Sequence, residues 1–507
     1  MITVVSCAAL AGIDAFTVEM EVDLTRSGLP AFTMVGLAEG AVREAKERVM
    51  AALKNTGHKL PPSRITVNLA PADRRKAGSG YDLALALGLL GASGVIDAAK
   101  LQGWYLVAEL SLTGELKAVP GILPIAIHAK AQGAKGLIVA TDNGAEAAVV
   151  EGLPVFAFET VGEVVEHLVG TTAYEPLEPP EIVFETSAGW MLDFSEVKGQ
   201  EHAKRAIEIA AAGNHNLLFV GPPGSGKTML AKRIPTVLPK LSFDEMLEVT
   251  KIYSVSGLLS KNNSLITERP YRSPHHTISD VGLVGGGVYP KPGEVSLAHR
   301  GVLFLDELPE FKKSVLEVMR QPLEDGDVTI CRSSISLSFP SDFMLVAAMN
   351  PCPCGYLTDD RHPCTCSNRQ IAQYRSKLSG PLLDRIDLHV EVPAVAYDDL
   401  QERGRGVSSA DMRKRIEEAR ATQDARYAGT PLKTNADLSG RWLEIYAAIG
   451  DAEHAFLRKA VEALGLSARA YTRVLRISRT IADLEGAADI HVPHIAEAIN
   501  CRTLDRE

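Results

Sequence analysis

At 507 residues the chain is long enough for roughly two to four domains and a large buried core. Its composition, 46% hydrophobic, 23% charged and 6% aromatic, excludes wholesale disorder, collagen and coiled coil. The formal charge of −10 excludes attraction of nucleic acid by the chain as a whole, so any DNA contact must come from local patches.

The charge is uneven. Residues 1–186 carry 14 Lys/Arg against 22 Asp/Glu, residues 187–400 carry 22 against 25, and residues 401–507 carry 17 against 16. The opening stretch meets an acid at Asp14 and has no basic segment, which argues against a signal peptide. No apolar run approaches the roughly 18 residues of a membrane span, so a cytoplasmic protein is expected.

Up to about residue 170, short β-rich runs (Val4–Ala8, Thr17–Val22, Ile65–Leu69, Gly136–Ala140) alternate with alanine-rich helical stretches (Gly40–Asn55, Asp82–Leu90, Ile122–Gln132), an α/β pattern. Residues 171–189 are rich in Pro and Glu without helical periodicity and predict a linker over 171–193. A second α/β domain is expected over 194–393. The remainder, 394–507, reads as a helical domain with helices at Ser409–Tyr427, Gly440–Tyr446, Asp451–Gly465, Ser467–Leu484 and Pro493–Cys501.

The strongest local signal is GPPGSGKT, Gly221-Pro222-Pro223-Gly224-Ser225-Gly226-Lys227-Thr228, between an apolar run at Asn216–Val220 and a helical start at Met229–Ile234. Glycines let backbone N–H groups approach phosphates, Lys227 reaches the β- and γ-phosphates of ATP, and Thr228 can hold Mg²⁺. A second apolar run, Val302–Leu305, ends in Asp306 and Glu307, where ligands bind in open α/β sheets. Asp306 is the expected Mg²⁺ partner and Glu307 the residue that polarises water. A third run, Phe343–Met349, ends in Asn350, which can orient water or sense the γ-phosphate, or simply form a turn before Pro351.

Arg385, between Asp384 and Asp387, is either half of a local salt bridge or a finger offered to a neighbour's ATP. Arg469, Arg473, Arg476 and Arg479 form one stripe at helical spacing, with no acid before Asp483. Such a stripe is a solvated face or a phosphate-facing surface, and the shortage of acids nearby favours phosphate. Cys352-Pro-Cys354 and Cys364-Thr-Cys366 are two C-x-C pairs that could close a tetrahedral, structural Zn²⁺ site, with His362 able to replace one thiolate. An iron–sulfur cluster and plain loop thiols are the competing readings.

Taken together these residues resemble a magnesium-chelatase-like AAA+ ATPase of the ComM/YifB family, above all over residues 269–311. The resemblance implies a ring, expected as a hexamer, with ATP between subunits. It makes Asn350 the sensor-1 residue, Arg385 the finger acting in trans and Arg469 the sensor-2 arginine. It also implies a hairpin before sensor 1, placed at Val328–Pro340, with Arg332 as its basic residue. The N-terminal third resembles a Lon-protease-like domain over residues 76–90 and 114–133. Alignment puts Gly80 where the nucleophilic serine belongs and Leu123 where the lysine belongs, so proteolysis is not expected. Its loop Arg74-Arg75-Lys76 is a candidate DNA contact.

The resemblance favours a DNA motor that uses ATP and Mg²⁺ on single-stranded or branched DNA, as ComM-like proteins do in branch migration. The alternative is a protein-remodelling ATPase like the magnesium-chelatase motor subunit. The fused N-terminal domain, expected to be foreign to that subunit, weighs towards DNA.

Overall fold

The computed structural model describes residues 2–26, 29–37, 40–181, 192–259, 264–287, 289–332, 335–359, 361–395 and 406–506, apart from the side chains at 41, 332, 335, 505 and 506. It is a mixed α/β structure in two compact units. The first comprises residues 1–184 and 243–267, the second 185–242 and 268–507. The segment 243–267 interrupts the second unit in sequence and packs with the first.

The first unit is built on a seven-stranded mixed sheet. Its spatial order is Ala31–Val35, Arg64–Ala70, Asp14–Thr25, Ile2–Ala11, Trp104–Val107, Gly136–Ala140, Val155–Phe158. The first two long strands run further than their apolar cores suggest because they pair antiparallel from Ile2↔Asp23 to Ala11↔Asp14 around a tight turn, which recruits polar residues into the ladder. The helix Asp82–Ser93 is buried almost along its whole length. Its one acid, Asp82, is neutralised by Arg48, whose Nε and Nη2 donate at 2.7 and 2.9 Å. The helix Phe243–Ser256 joins this unit through polar anchors: Ser254 Oγ donates to Glu146 Oε1 at 2.5 Å, and Gly121 N–H donates to Ser254 O at 3.1 Å. Residues 172–181 adopt no helix or strand, and Leu177 N–H donates to Val155 O at 2.8 Å. The rest of the expected linker, 182–191, lies outside the described residues.

The second unit has a five-stranded, all-parallel sheet in the order Tyr271–Arg272, Val302–Leu305, Met344–Met349, Leu217–Val220, Leu388–Glu391. Leu217–Val220, Val302–Leu305 and Met344–Met349 are buried at every position, as expected of parallel strands covered on both faces. The strand order reverses at Leu217–Val220, and in open α/β sheets ligands bind beyond the carboxyl end at such a point. A separate hairpin pairs Asp327–Arg332 with Ile335–Pro340. The helices Ser409–Tyr427, Asp451–Leu464, Ala468–Leu484 and Val492–Asn500 share one apolar core with this sheet through Ile416, Leu457, Ile477 and Ile495.

Candidate functional site

The loop Gly221–Gly226 leaves the strand Leu217–Val220 and turns into the helix Lys227–Arg233. A Cβ on Gly221 would come within 2.1 Å of Val392 O, so only glycine lets the chain pass there. Lys227 Nζ donates to Gly221 O and Pro222 O at 2.7 and 2.8 Å and lies 3.3 Å from Asn350 Oδ1. Burial lowers the Lys227 pKa, partly offset by the charge of Asp306. The ammonium is thus already desolvated and aimed at the strand end that carries Asn350.

Thr228 Oγ1 donates to Asp306 Oδ2 at 2.7 Å, bringing together residues 78 positions apart. That oxygen pair suits a hard divalent cation. Glu307 follows with φ +53°, the left-handed region, and its N–H donates to Asp306 Oδ1 at 2.9 Å. A non-glycine residue held there carries about 1 kcal/mol of strain or more, and such strain gathers where a side chain must be aimed. Glu307 is exposed, and His276 Nδ1 lies 3.5 Å from its Oε2. His276 also packs against His275, with ring centroids 4.1 Å apart. Sequence reasoning passed over this histidine, although the His275-His276 pair inside the 269–311 segment was visible.

Arg385 and Arg469 are engaged by carboxylates. Arg385 Nη1 donates to Pro381 O at 2.6 Å and Nη2 to Glu324. Its backbone is pinned to the sheet by Asn216, whose Nδ2 donates to Arg385 O at 2.8 Å while its Oδ1 accepts from Leu345 N–H at 2.8 Å. Arg469, 68% exposed, pairs with Asp384.

The other three arginines of the stripe contradict the expected phosphate-facing surface. Arg473 lies 3.7 Å from Asp384 and 3.5 Å from Asp387, and Asp387 is also 3.3 Å from His215 Nδ1. Arg476 donates to Leu438 O. Arg479 reaches Asp483 at 3.0 Å and donates to Ala487 O and Ala488 O at 2.6 and 2.7 Å. The partners of Arg473 and Arg476 come from distant segments, so reading the helix alone could not supply them, whereas Asp483 lies one turn from Arg479 on the same helix.

The four cysteines converge. Sγ–Sγ distances are 3.3 Å for Cys352–Cys354, 3.7 Å for Cys352–Cys364 and 3.6 Å for Cys354–Cys364, and all four sulfurs, Cys366 included, lie within 4.8 Å of one another. Backbone N–H groups of Tyr356 and Thr365 lower the Cys354 thiol to about 5. His362 is not the fourth ligand: its Nδ1 lies 3.3 Å from Asp359 Oδ2, and its ring packs on Tyr356.

Comparison with known proteins gives three family matches. Residues 193–400 match "Magnesium chelatase, subunit ChlI", residues 20–143 match "Subunit ChlI of Mg-chelatase", and residues 406–502 match "Magnesium chelatase, subunit ChlI C-terminal". The competence protein ComM of Haemophilus influenzae is 46% identical, with 100% of this chain and 98% of the relative covered. The YifB protein of Escherichia coli is 42% identical over 100% of this chain and 98% of its own length. The chain belongs to the magnesium-chelatase-like ComM/YifB family. The 67 kDa magnesium-chelatase subunit of Chlorobaculum tepidum is 27% identical over 32% of this chain and 24% of its own length. Membership makes the chain an AAA+ ATPase of this family. Because residues 20–143 also match a ChlI description, the N-terminal unit does not separate a DNA motor from a chelatase-type motor, which removes that sequence argument.

In the first unit, Leu123 is fully buried and its N–H donates to Glu146 Oε1 at 2.9 Å. Of the basic loop, Arg74 and Arg75 are exposed, and the Arg74 guanidinium sits 4.8 Å from the Phe16 ring centroid. Lys76 is corrected: it is fully buried and its Nζ donates to Pro71 O, so it cannot meet a DNA phosphate. The side chain of Arg332, on the hairpin, lies outside the described residues.

Proposed function

We propose that this chain is the subunit of a Mg²⁺-dependent ring motor, a hexamer in the cytoplasm, that moves single-stranded or branched DNA as a helicase and branch-migration factor in recombination. The observation that carries the ATPase part is the meeting of Lys227, Thr228, Asp306 and Asn350 at the reversal of strand order. The DNA part is supported by full-length similarity to a competence protein. In this reading residues 1–170 are an inactive Lon-protease-like domain, 194–393 the ATPase core and 394–507 the helical lid.

The residues fit ATP and Mg²⁺. Mg²⁺ at the Thr228–Asp306 oxygens would neutralise charge on the phosphates. Lys227 moves its hydrogen bonds from the loop carbonyls to the β- and γ-phosphates. Glu307, turned out by its backbone and backed by His276, accepts a proton from the attacking water, while Asn350 holds that water in line. Arg469 reaches the γ-phosphate of its own subunit, and Arg385 exchanges Glu324 for the neighbour's transferring phosphate. The four cysteines would hold zinc in a structural role.

A second reading, a motor that remodels a protein partner, is favoured by the chelatase-subunit matches over all three segments. Steady-state ATP turnover with single-stranded, duplex and branched DNA separates the two. Stimulation by branched DNA is expected; indifference to every nucleic acid sinks the DNA reading in favour of the second.

A further inference from the structure

The cysteine centre touches the nucleotide site. A tetrahedral zinc with Zn–S of about 2.3 Å places its sulfurs about 3.8 Å apart, close to the three short separations here. Cys354 N–H donates to Cys366 Sγ at 3.4 Å, so the two C-x-C turns brace one another before any ion is considered. Donor softness favours zinc or iron over magnesium or calcium, and four protein sulfurs leave no open position for catalysis.

The residue after Cys354 is Gly355, held at φ +87° by a turn in which its N–H donates to Cys352 O at 3.0 Å. A Cβ on Gly355 would lie 2.5 Å from Pro223 Cδ and 3.0 Å from its Cγ. Pro223 is in the middle of the phosphate-binding loop. The other end of the cysteine segment is equally tied in. Cys352 stands two residues after Asn350, whose side chain faces Lys227 and whose N–H bonds the buried Tyr374 hydroxyl. Arg375, beside Tyr374, reaches Pro351 O at 3.5 Å.

We infer that the four-cysteine zinc centre is a buttress for the phosphate-binding loop, setting the position of Pro223 through Gly355 and of Asn350 through the turn that begins at Pro351. This rests on the zinc reading above and adds a function to it: the metal controls nucleotide affinity. A segment with little apolar bulk of its own is given a fixed shape by metal–thiolate bonds, and that shape is passed to a loop whose backbone must be preorganised for phosphate.

The test measures metal content by mass spectrometry and affinity for a fluorescent ATP analogue, on full-length protein purified without chelator or histidine tag. About one zinc per chain is expected in the wild type and in Cys331→Ser, whose exposed thiol lies outside the cluster. Cys354→Ser should lose the zinc and bind the analogue at least tenfold more weakly. Gly355→Ala keeps all four sulfurs and should retain zinc, yet lose a similar factor in affinity because its Cβ collides with Pro223. Absence of zinc from wild-type protein, or iron with visible absorbance in its place, overturns the zinc reading. Zinc lost from Cys354→Ser with affinity unchanged, or full affinity in Gly355→Ala, leaves zinc in place and overturns the buttress.

Discussion

Replacing Arg473 with alanine distinguishes a structural arginine from one that serves the nucleotide. Arg473 and Asp387 are both only 9% exposed and 3.5 Å apart, so the substitution leaves a buried carboxylate short of a partner. Breaking a buried pair in this way costs about 3–5 kcal/mol. Asp387 keeps His215 at 3.3 Å, which places the loss near the lower figure. At about 2 °C per kcal/mol for a unit of this size, the second unit should melt about 6 °C lower by calorimetry of the full chain. Arg469→Ala is the contrast. Its side chain is 68% exposed, so its pair with Asp384 contributes no more than about 1 kcal/mol and the melting temperature should barely move, while ATP turnover falls. The acid limb adds a second signature. Burial opposes the Asp387 charge, but the His215 hydrogen bond and the charges of His215, Arg476 and Arg473 outweigh it and hold its pKa below the ordinary carboxylate range. Its stabilisation is therefore present above about pH 4 and lost as pH falls through the depressed value, so wild type and Arg473→Ala should converge there. An unchanged melting temperature with lost ATP turnover in Arg473→Ala would refute this account and return the stripe to the phosphate.

Lys227→Ala should abolish nucleotide binding, whereas Glu307→Gln should bind the ATP analogue normally and release no phosphate; equal loss of affinity in both contradicts the division of labour. Arg385→Ala, itself inactive, should regain part of its turnover when mixed with Lys227→Ala protein under subunit exchange, and failure to complement means that Arg385 acts within its own subunit. Arg74→Glu combined with Arg75→Glu should weaken DNA binding in a salt-dependent filter or anisotropy assay while sparing basal ATP turnover. An unchanged affinity would show the loop to be merely solvated. Lys76 is left out of that variant because it is buried.

The parts of the candidate site legible in the sequence are those whose chemistry is local. A glycine-rich loop between an apolar strand and a helix, two acids at the end of another apolar strand, and paired cysteines each carry their meaning within one short stretch of chain, because backbone turns and burial of parallel strands are dictated by immediate neighbours. The approach of Thr228 to Asp306 then follows from parallel strands ending on one edge of a sheet.

Tertiary structure alone decided where charges find their partners. Helical periodicity aligned Arg469, Arg473, Arg476 and Arg479, but Asp384, Asp387 and the Leu438 carbonyl reach them from segments dozens of residues away, turning much of an apparent basic face into internal ion pairs and hydrogen bonds. Lys76 looked like the third charge of a surface loop until the fold buried it against Pro71. His276 gained its place beside Glu307 in the same way. The helix Phe243–Ser256 packs with the first unit, where buried Glu146, 108 residues before Ser254, accepts its hydroxyl. Periodicity states which side chains share a face; what that face meets depends on contacts between segments far apart in the chain, which local spacing does not encode.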